Sequence, residues 1–359
     1  MKAGANGSFP FELVCPRCRK PGADGKLTVS VLVPVAEATG KGSAHRCQVC
    51  RTSYPHIDGV PCVPPDLESF QQAQAWALAG NWIHRERNGA EAACRLAAQL
   101  DCQSNGLLEV ANLAQYALAH YPGDTGSLFP ELEGNRFLLE IVHNWLAGHS
   151  RPADTGSRLA LEAGCGPGAA MRVVAPLFPD GVLGLDLRIA VLRLARHLAL
   201  HGEAFLPFRV EGNRFEPIRI VSPRSESDSG VWFLQGDIFD PPLQAEVFPA
   251  VVALSLLDSV ADPLFVLGQL DALLAPGGLR LAGTSYSWDS RVTPPQAWWS
   301  HPDATGGGML RAALSGRLPA LPHLRYELLE ELDRVPWAIP GHARLAHRYF
   351  LDLVLARKV

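Results

Sequence analysis

The segment LALEAGCGPGAA (159–170) constrains the fold more than any other part of the chain. A short apolar run ends around Glu162, a turn carries Gly164, Gly166 and Gly168, and a helix-forming stretch follows at once. Glycines at such a turn adopt conformations that side chains resist, and they let backbone approach a ligand closely. The alternation continues beyond it. GVLGLD (181–186), VWFLQ (231–235), AVVALS (250–255) and LRLAG (279–283) are short β-like runs separated by helical segments. Strands alternating with crossover helices build a mostly parallel sheet of the α/β class. Sheets of this kind bind ligands outside the carboxyl ends of their strands, so the residues at those ends form the candidate site.

Three carboxylates fall there. Glu162 precedes the first glycine, Asp186 lies 20 residues beyond Gly166 at the end of the next run, and Asp237 follows the third within QGDIFDPP (235–242). The glycine turn alone also satisfies a loose dinucleotide pattern through Gly164, Gly166 and Ala169, and Asp186 suits the ribose of a nicotinamide cofactor equally well. Glu162 distinguishes the readings, because a carboxylate at the turn attracts an ammonium or sulfonium and repels a pyrophosphate. Asp237 and Ile238 are placed for an amino group and the face of a ring. The order EAGCGPG, LGLDLR, QGDIFD, ALSLLDSVADP and LLAPGGLRL, over 159–283, resembles the motif series of class I S-adenosylmethionine-dependent methyltransferases. That resemblance implies a Rossmann-like sheet, mostly parallel with an antiparallel C-terminal strand. It also implies S-adenosylmethionine as cofactor, held by Glu162, Gly164, Gly166, Gly168, Asp186, Leu187, Asp237, Ile238 and Ser255.

Eight cysteines are present, and four form the pairs CPRC (Cys15, Cys18) and CQVC (Cys47, Cys50). Two CxxC knuckles supply the four sulfurs of a closed, structural tetrahedral zinc site. His45 and Cys62 lie close by but are surplus to four thiolates. With the β-rich LTVSVLVPVA (27–36) between the knuckles and YPHIDGVP (54–61) after them, the pattern is similar to the zinc-ribbon adaptor that accompanies some tRNA and protein methyltransferases. Residues 1–62 carry eight Lys/Arg against four Asp/Glu. Four thiolates on one zinc remove about two of those four positive charges, so the module presents only a weak basic patch.

A chain of 359 residues has room for about two domains at ~150 residues each. The expected organisation is a zinc ribbon over 1–66, a helical connector or lid over 67–150 opened by Asp66 as an N-cap, and the methyltransferase domain over 151–359. Residues 212–230 read as a polar insertion, a loop or hairpin before the third strand. Three stretches, LAQYALAHY (113–121), TSYSWDSRVTPPQAWW (284–299) and VPWAIPGHARLAHRY (335–349), resemble the methyltransferase domain of ovothiol-producing enzymes. This second resemblance implies N-methylation of a histidine-like imidazole or another small molecule, with Tyr116 and Arg344 binding the acceptor. Tyr286 and Trp288 follow the strand LRLAG and are placed to flank a flat acceptor. Asp258 is placed to orient an acceptor N–H, or equally to cap a helix. His342 is a candidate proton relay, although a surface turn at Pro340-Gly341 would also carry both it and Arg344. Cys165 reads as a small spacer in the glycine turn.

The net charge of −4 provides no large cationic field for a polyanion. A nucleic-acid substrate is therefore disfavoured, although RNA methyltransferases with an N-terminal zinc module offer that alternative, and a non-catalytic zinc-ribbon adaptor is a third. No apolar run approaches the ~18 residues of a membrane span, and the first 18 residues lack the apolar core of a secretory signal. A cytoplasmic protein is the expectation.

Overall fold

The computed structural model describes residues 11–21, 27–36, 43–100, 105–122, 129–150, 158–222, 230–299, 307–318 and 320–359. In the N-terminal module β1 (Lys20–Pro21) pairs with β2 (Leu27–Thr28), and β3 (Leu32–Ala36), β4 (Ser43–Cys47), β5 (Ser53–Ile57) and β6 (Val60–Pro61) form an antiparallel sheet. Five helices follow: α1 (Leu67–Ala73), α2 (Ala75–Ala79), α3 (Arg87–Ala97), α4 (Asn105–His120) and α5 (Glu133–His149). The main domain runs β7 (Ala160–Ala163), α6 (Ala169–Val174), β8 (Val182–Asp186), α7 (Ile189–His201), β9 (Glu203–Glu211), β10 (Arg214–Val221) and β11 (Val231–Gln235). It ends with β12 (Phe248–Leu254), α8 (Pro263–Leu273), β13 (Leu274–Thr284), α9 (Gly307–Leu314), β14 (Tyr326–His342) and β15 (Leu345–Lys358).

The main sheet has the order β11-β8-β7-β12-β13-β15-β14. Its first five strands are parallel, and β15 then runs antiparallel to both β13 and β14. The five runs read as strands from the sequence are those five parallel strands. Apolar side chains fill both faces, as expected of strands covered by helices on either side. Strand order reverses between β7 and β12, the position at which open α/β sheets bind their ligands. Asp66 caps α1, accepting the Glu68 and Ser69 backbone N–H groups. Asp262 caps α8 by accepting from Phe265, with Pro263 in the first turn. The capping alternative for Asp258 therefore falls away.

Three additions enclose the carboxyl edge. The insertion is a hairpin that begins earlier than 212: β9 and β10 pair from Glu203 to Val221 around a Gly212 turn, while 223–229 lie outside the described residues. Ala204, Leu206 and Phe208, with Ile220 opposite Ala204, turn inward and pack with α3 and α4, so alternation gives the hairpin one buried face. The β14–β15 hairpin forms the second addition. Thr284 of β13 pairs with Asp352, and β15 continues backwards from there to Leu345 without β13, carrying an arm past the sheet edge. Pro340-Gly341 lies within β14 rather than at a turn, and the chain reverses at residues 343–344. The third addition is the connector. Buried Asn135 of α5 ties it to the arm, donating to the Ala119 and Ala338 carbonyls and accepting from the Ala338 N–H.

The N-terminal module docks on the free edge of β11. Cys62 bridges Gln235 in parallel fashion, the Val63 N–H donates to the Gln235 carbonyl at 3.0 Å, and the Val14 N–H donates to Pro242 at 3.1 Å. Arg19 reaches Asp240 and the Pro241 carbonyl. An edge strand that would otherwise present unpaired backbone is thereby covered. Among the described residues no helix is long and apolar enough to cross a membrane.

Candidate active site and cysteine cluster

The turn after β7 is left-handed at each of its glycines, with φ of +71° at Gly164, +53° at Gly166 and +86° at Gly168. A Cβ on Gly166 would stand 3.2 Å from His120 Nε2, so a side chain there is both strained and crowded. Cys165 packs inward beside Gly184, as a spacer does. Asp186, at the end of β8, accepts the Gly166 N–H through Oδ2 at 3.0 Å and the Arg188 N–H through Oδ1 at 2.9 Å. It thus fixes the glycine turn from the neighbouring strand.

Glu162 lies on β7 beneath this turn, 2% exposed, and its Oε2 has no hydrogen-bond partner. Burial raises its pKa well above the carboxylate range, and the Asp186 charge raises it further. A buried carboxylate oxygen without a partner requires a proton or a cation. After β11, Asp237 accepts the Phe239 N–H in a tight turn, Ile238 is nearly buried, and Leu187 stands exposed after β8. Glu162, Asp186 and Asp237 therefore follow one another along three adjacent strands, β7, β8 and β11. That sequence of groups suits an ammonium, a ribose and an adenine amino group, and Leu187 and Ile238 add apolar surface beside them.

Beyond the strand-order reversal, Ser255 after β12 and Tyr286 after β13 both hold φ above +50°, which is unusual for residues with side chains. Asp258 is buried and accepts the Ser285 N–H at 3.0 Å and its hydroxyl at 2.6 Å, both on Oδ2. Among the described residues its Oδ1 has no partner. Tyr349 of the arm has its pKa raised by burial and then by the nearby Tyr116 and Asp258. Tyr116 in turn stacks beneath the Arg188 guanidinium at 4.8 Å. Tyr116 of α4, Tyr349 of the arm and Asp258 after β12 are thus close enough to interact electrostatically.

Other candidates have different partners. The Tyr286 hydroxyl donates to Asp352 at 2.8 Å, and its ring packs with Trp288 and Trp299. Burial raises the pKa of Asp352 to about 6. His342 accepts the Arg344 N–H at the tip of the arm, where Arg344 pairs with Glu211 of the β9–β10 hairpin. Residues not singled out from the sequence include Ser285 and Tyr349 beside Asp258, and His120 over the glycine turn. Their only sequence signal was proximity: Ser285 and His120 lie inside TSYSW and LAQYALAHY, and Tyr349 ends the third quoted stretch.

The four knuckle cysteines converge, with all four Sγ atoms within 4.8 Å of one another. Cys15–Cys50 is 3.7 Å and Cys18–Cys47 is 3.6 Å. A tetrahedral zinc with Zn–S of about 2.3 Å requires S···S of about 3.8 Å, so the donor set fits that ion. Ser30, Tyr54 and Thr52 hydroxyls and the Val49 and Cys50 N–H groups surround the sulfurs, the outer shell that thiolate ligands need. His45 instead contacts His56 at 2.8 Å, and buried Cys62 stands apart.

Residues 161–282, from β7 to β13, match a family model described as a methyltransferase domain. No curated protein matches the sequence. Among solved structures, the chain is similar to magnesium protoporphyrin IX methyltransferase of Synechocystis with bound S-adenosylmethionine, at 14% identity over 70% of this chain and 93% of that one, TM-score 0.41. An S-adenosylmethionine-dependent methyltransferase of Aquifex aeolicus is similar at 12% identity over 61% of this chain and 89% of that one, TM-score 0.37. Phosphoethanolamine N-methyltransferase 2 of Haemonchus contortus is similar at 21% identity, over 40% of this chain and only 27% of that one, TM-score 0.28.

Proposed function

We propose that this chain transfers a methyl group from S-adenosylmethionine to a nitrogen of a small-molecule or histidine-like acceptor. The observation that carries the reading is the row of carboxylates Glu162, Asp186 and Asp237 at the ends of adjacent parallel strands, with the Glu162 oxygen buried and unpartnered. Glu162 would hold the cofactor's ammonium, Asp186 the ribose and Asp237 the adenine amino group. The glycine turn and Ser255 would let backbone approach, and Leu187 and Ile238 would flank the ring. When bound, S-adenosylmethionine supplies an electrophilic methyl carbon.

The chain's own part is to align and enclose the acceptor, since an in-line displacement gains most from orientation. Tyr116 and Tyr349 offer aromatic surface to a flat acceptor, and the arm and α4 exclude water above the edge. Asp258, with Oδ2 fixed by Ser285 and Oδ1 available, takes the proton that a nitrogen acceptor gives up. Tyr286 and Trp288 support this chamber through their packing, while His342 and Arg344, at the arm tip, would contact only an acceptor long enough to reach them. The cysteine cluster holds a structural zinc ion that fixes the N-terminal module on the edge of β11.

The test is methyl transfer from labelled S-adenosylmethionine to imidazole acceptors, histidine and a thiol-bearing histidine first, followed by RNA. Modification of an imidazole that Asp258→Asn suppresses supports the reading. Modification of RNA alone would replace the acceptor.

A further inference from the structure

We infer that His120 is a cofactor-binding residue whose Nε2–H recognises the α-carboxylate of the cofactor's amino-acid end. This rests on the proposed use of S-adenosylmethionine. An amino-acid end placed at the glycine turn carries a carboxylate beside its ammonium. Glu162 satisfies the ammonium and repels the carboxylate, so a neutral or positive donor facing the turn from another element would favour that end. His120, at the C-terminus of α4, presents its Nε2 3.2 Å from the position a Gly166 Cβ would take.

The ring's orientation is fixed. Its Nδ1 accepts the Ala169 N–H at 3.4 Å, which leaves the proton of the neutral imidazole on Nε2, the nitrogen directed over the turn. Trp337 of the arm meets the ring edge-on at 5.6 Å, and the adjoining Tyr121 hydroxyl donates to the Pro167 carbonyl inside the turn. The donor is therefore preorganised by three elements: α4, the arm and the turn itself. Burial, and then the Arg188 charge, hold the imidazole well below its ordinary range, at about 3, so it stays a neutral donor across physiological pH. The residue as a whole is half-buried rather than sealed in the core.

The inference assigns specificity, because a cofactor lacking the carboxylate gives His120 nothing to bind. The test uses the full zinc-loaded chain and calorimetric titration of S-adenosylhomocysteine and its decarboxylated analogue, with wild type, His120→Phe and His120→Gln. The Phe variant keeps a ring against Trp337 and loses the N–H, while Gln restores a side-chain N–H. A hydrogen bond to a charged group supports an effect of about tenfold or more. Wild type is expected to prefer S-adenosylhomocysteine by that factor. In His120→Phe the ratio of the two affinities should fall to near one, and Gln should recover part of the preference. The orphaned Ala169 N–H affects both ligands alike and cancels in the ratio. Equal losses for both ligands, or no loss for either, overturn the assignment while leaving the cofactor reading intact. Failure of wild type to bind either ligand overturns both.

Discussion

Replacing Glu162 by Gln tests whether this buried carboxylate awaits a cation. Its folded-state pKa is raised by burial and then by Asp186, and its Oε2 has no partner. The folded chain therefore binds the Glu162 proton more tightly than the unfolded chain does. This contribution favours folding below the ordinary glutamate value near 4.5 and is lost as pH rises from there towards the raised folded value. Within that window the free protein should lose about 1.4 kcal/mol of stability per pH unit from this one group. Glu162→Gln removes the dependence, so the variant should be more stable than wild type at pH 7, and the gap should narrow towards pH 5. A bound ammonium reverses the effect, because it pairs with the ionised carboxylate; saturating S-adenosylhomocysteine should stabilise wild type more than the variant. Urea denaturation of both proteins at pH 5 and pH 7, with and without the ligand, gives the eight stabilities to be compared. Identical pH dependence of the two free proteins would refute the argument, since it would mean that Glu162 is already solvated or paired.

Three further outcomes follow from the same structure. Gly166→Arg forces a side chain into a left-handed position that His120 crowds, and calorimetry should show loss of cofactor binding while metal analysis shows the N-terminal module still loaded. Asn135→Ala leaves the Ala119 and Ala338 backbone groups unpaired between α4 and the arm; it should cost about 3 kcal/mol in urea titrations, and a cost under about 1 would contradict the clamp. Cys47→Ser should abolish the one zinc per chain expected from emission spectroscopy and lower the melting temperature, whereas Cys62→Ser should leave the zinc content unchanged.

Much of the sheet was legible in the sequence because buried parallel strands write themselves as short apolar runs, and each run ended near a glycine or an acid. Glu162, Asp186 and Asp237 could be placed at strand ends for that reason, and the four cysteines could be grouped because two CxxC turns bring their sulfurs together. The helix cap at Asp66 was legible too. What covers the carboxyl edge was not. The arm depends on β15 outrunning β13, a matter of pairing length that no local pattern encodes. Pro340-Gly341 therefore suggested a turn within what is a strand. The alternation in 203–211 that buries Leu206 and Phe208 is clear only once α3 and α4 stand opposite it. His120, Tyr349 and Ser285 escaped notice because each earns its position through a partner more than 25 residues distant: Gly166, Asp258 and Asp258 again.

Everything proposed for this chain depends on the carboxyl edge of its sheet binding S-adenosylmethionine. Calorimetric titration of S-adenosylmethionine and S-adenosylhomocysteine into the zinc-loaded chain tests it most directly, with Asp186→Ala as control. Binding near 1 μM, about −8 kcal/mol, that the control loses is the predicted result. Absence of heat and of any thermal shift with either ligand in the wild-type protein would contradict it.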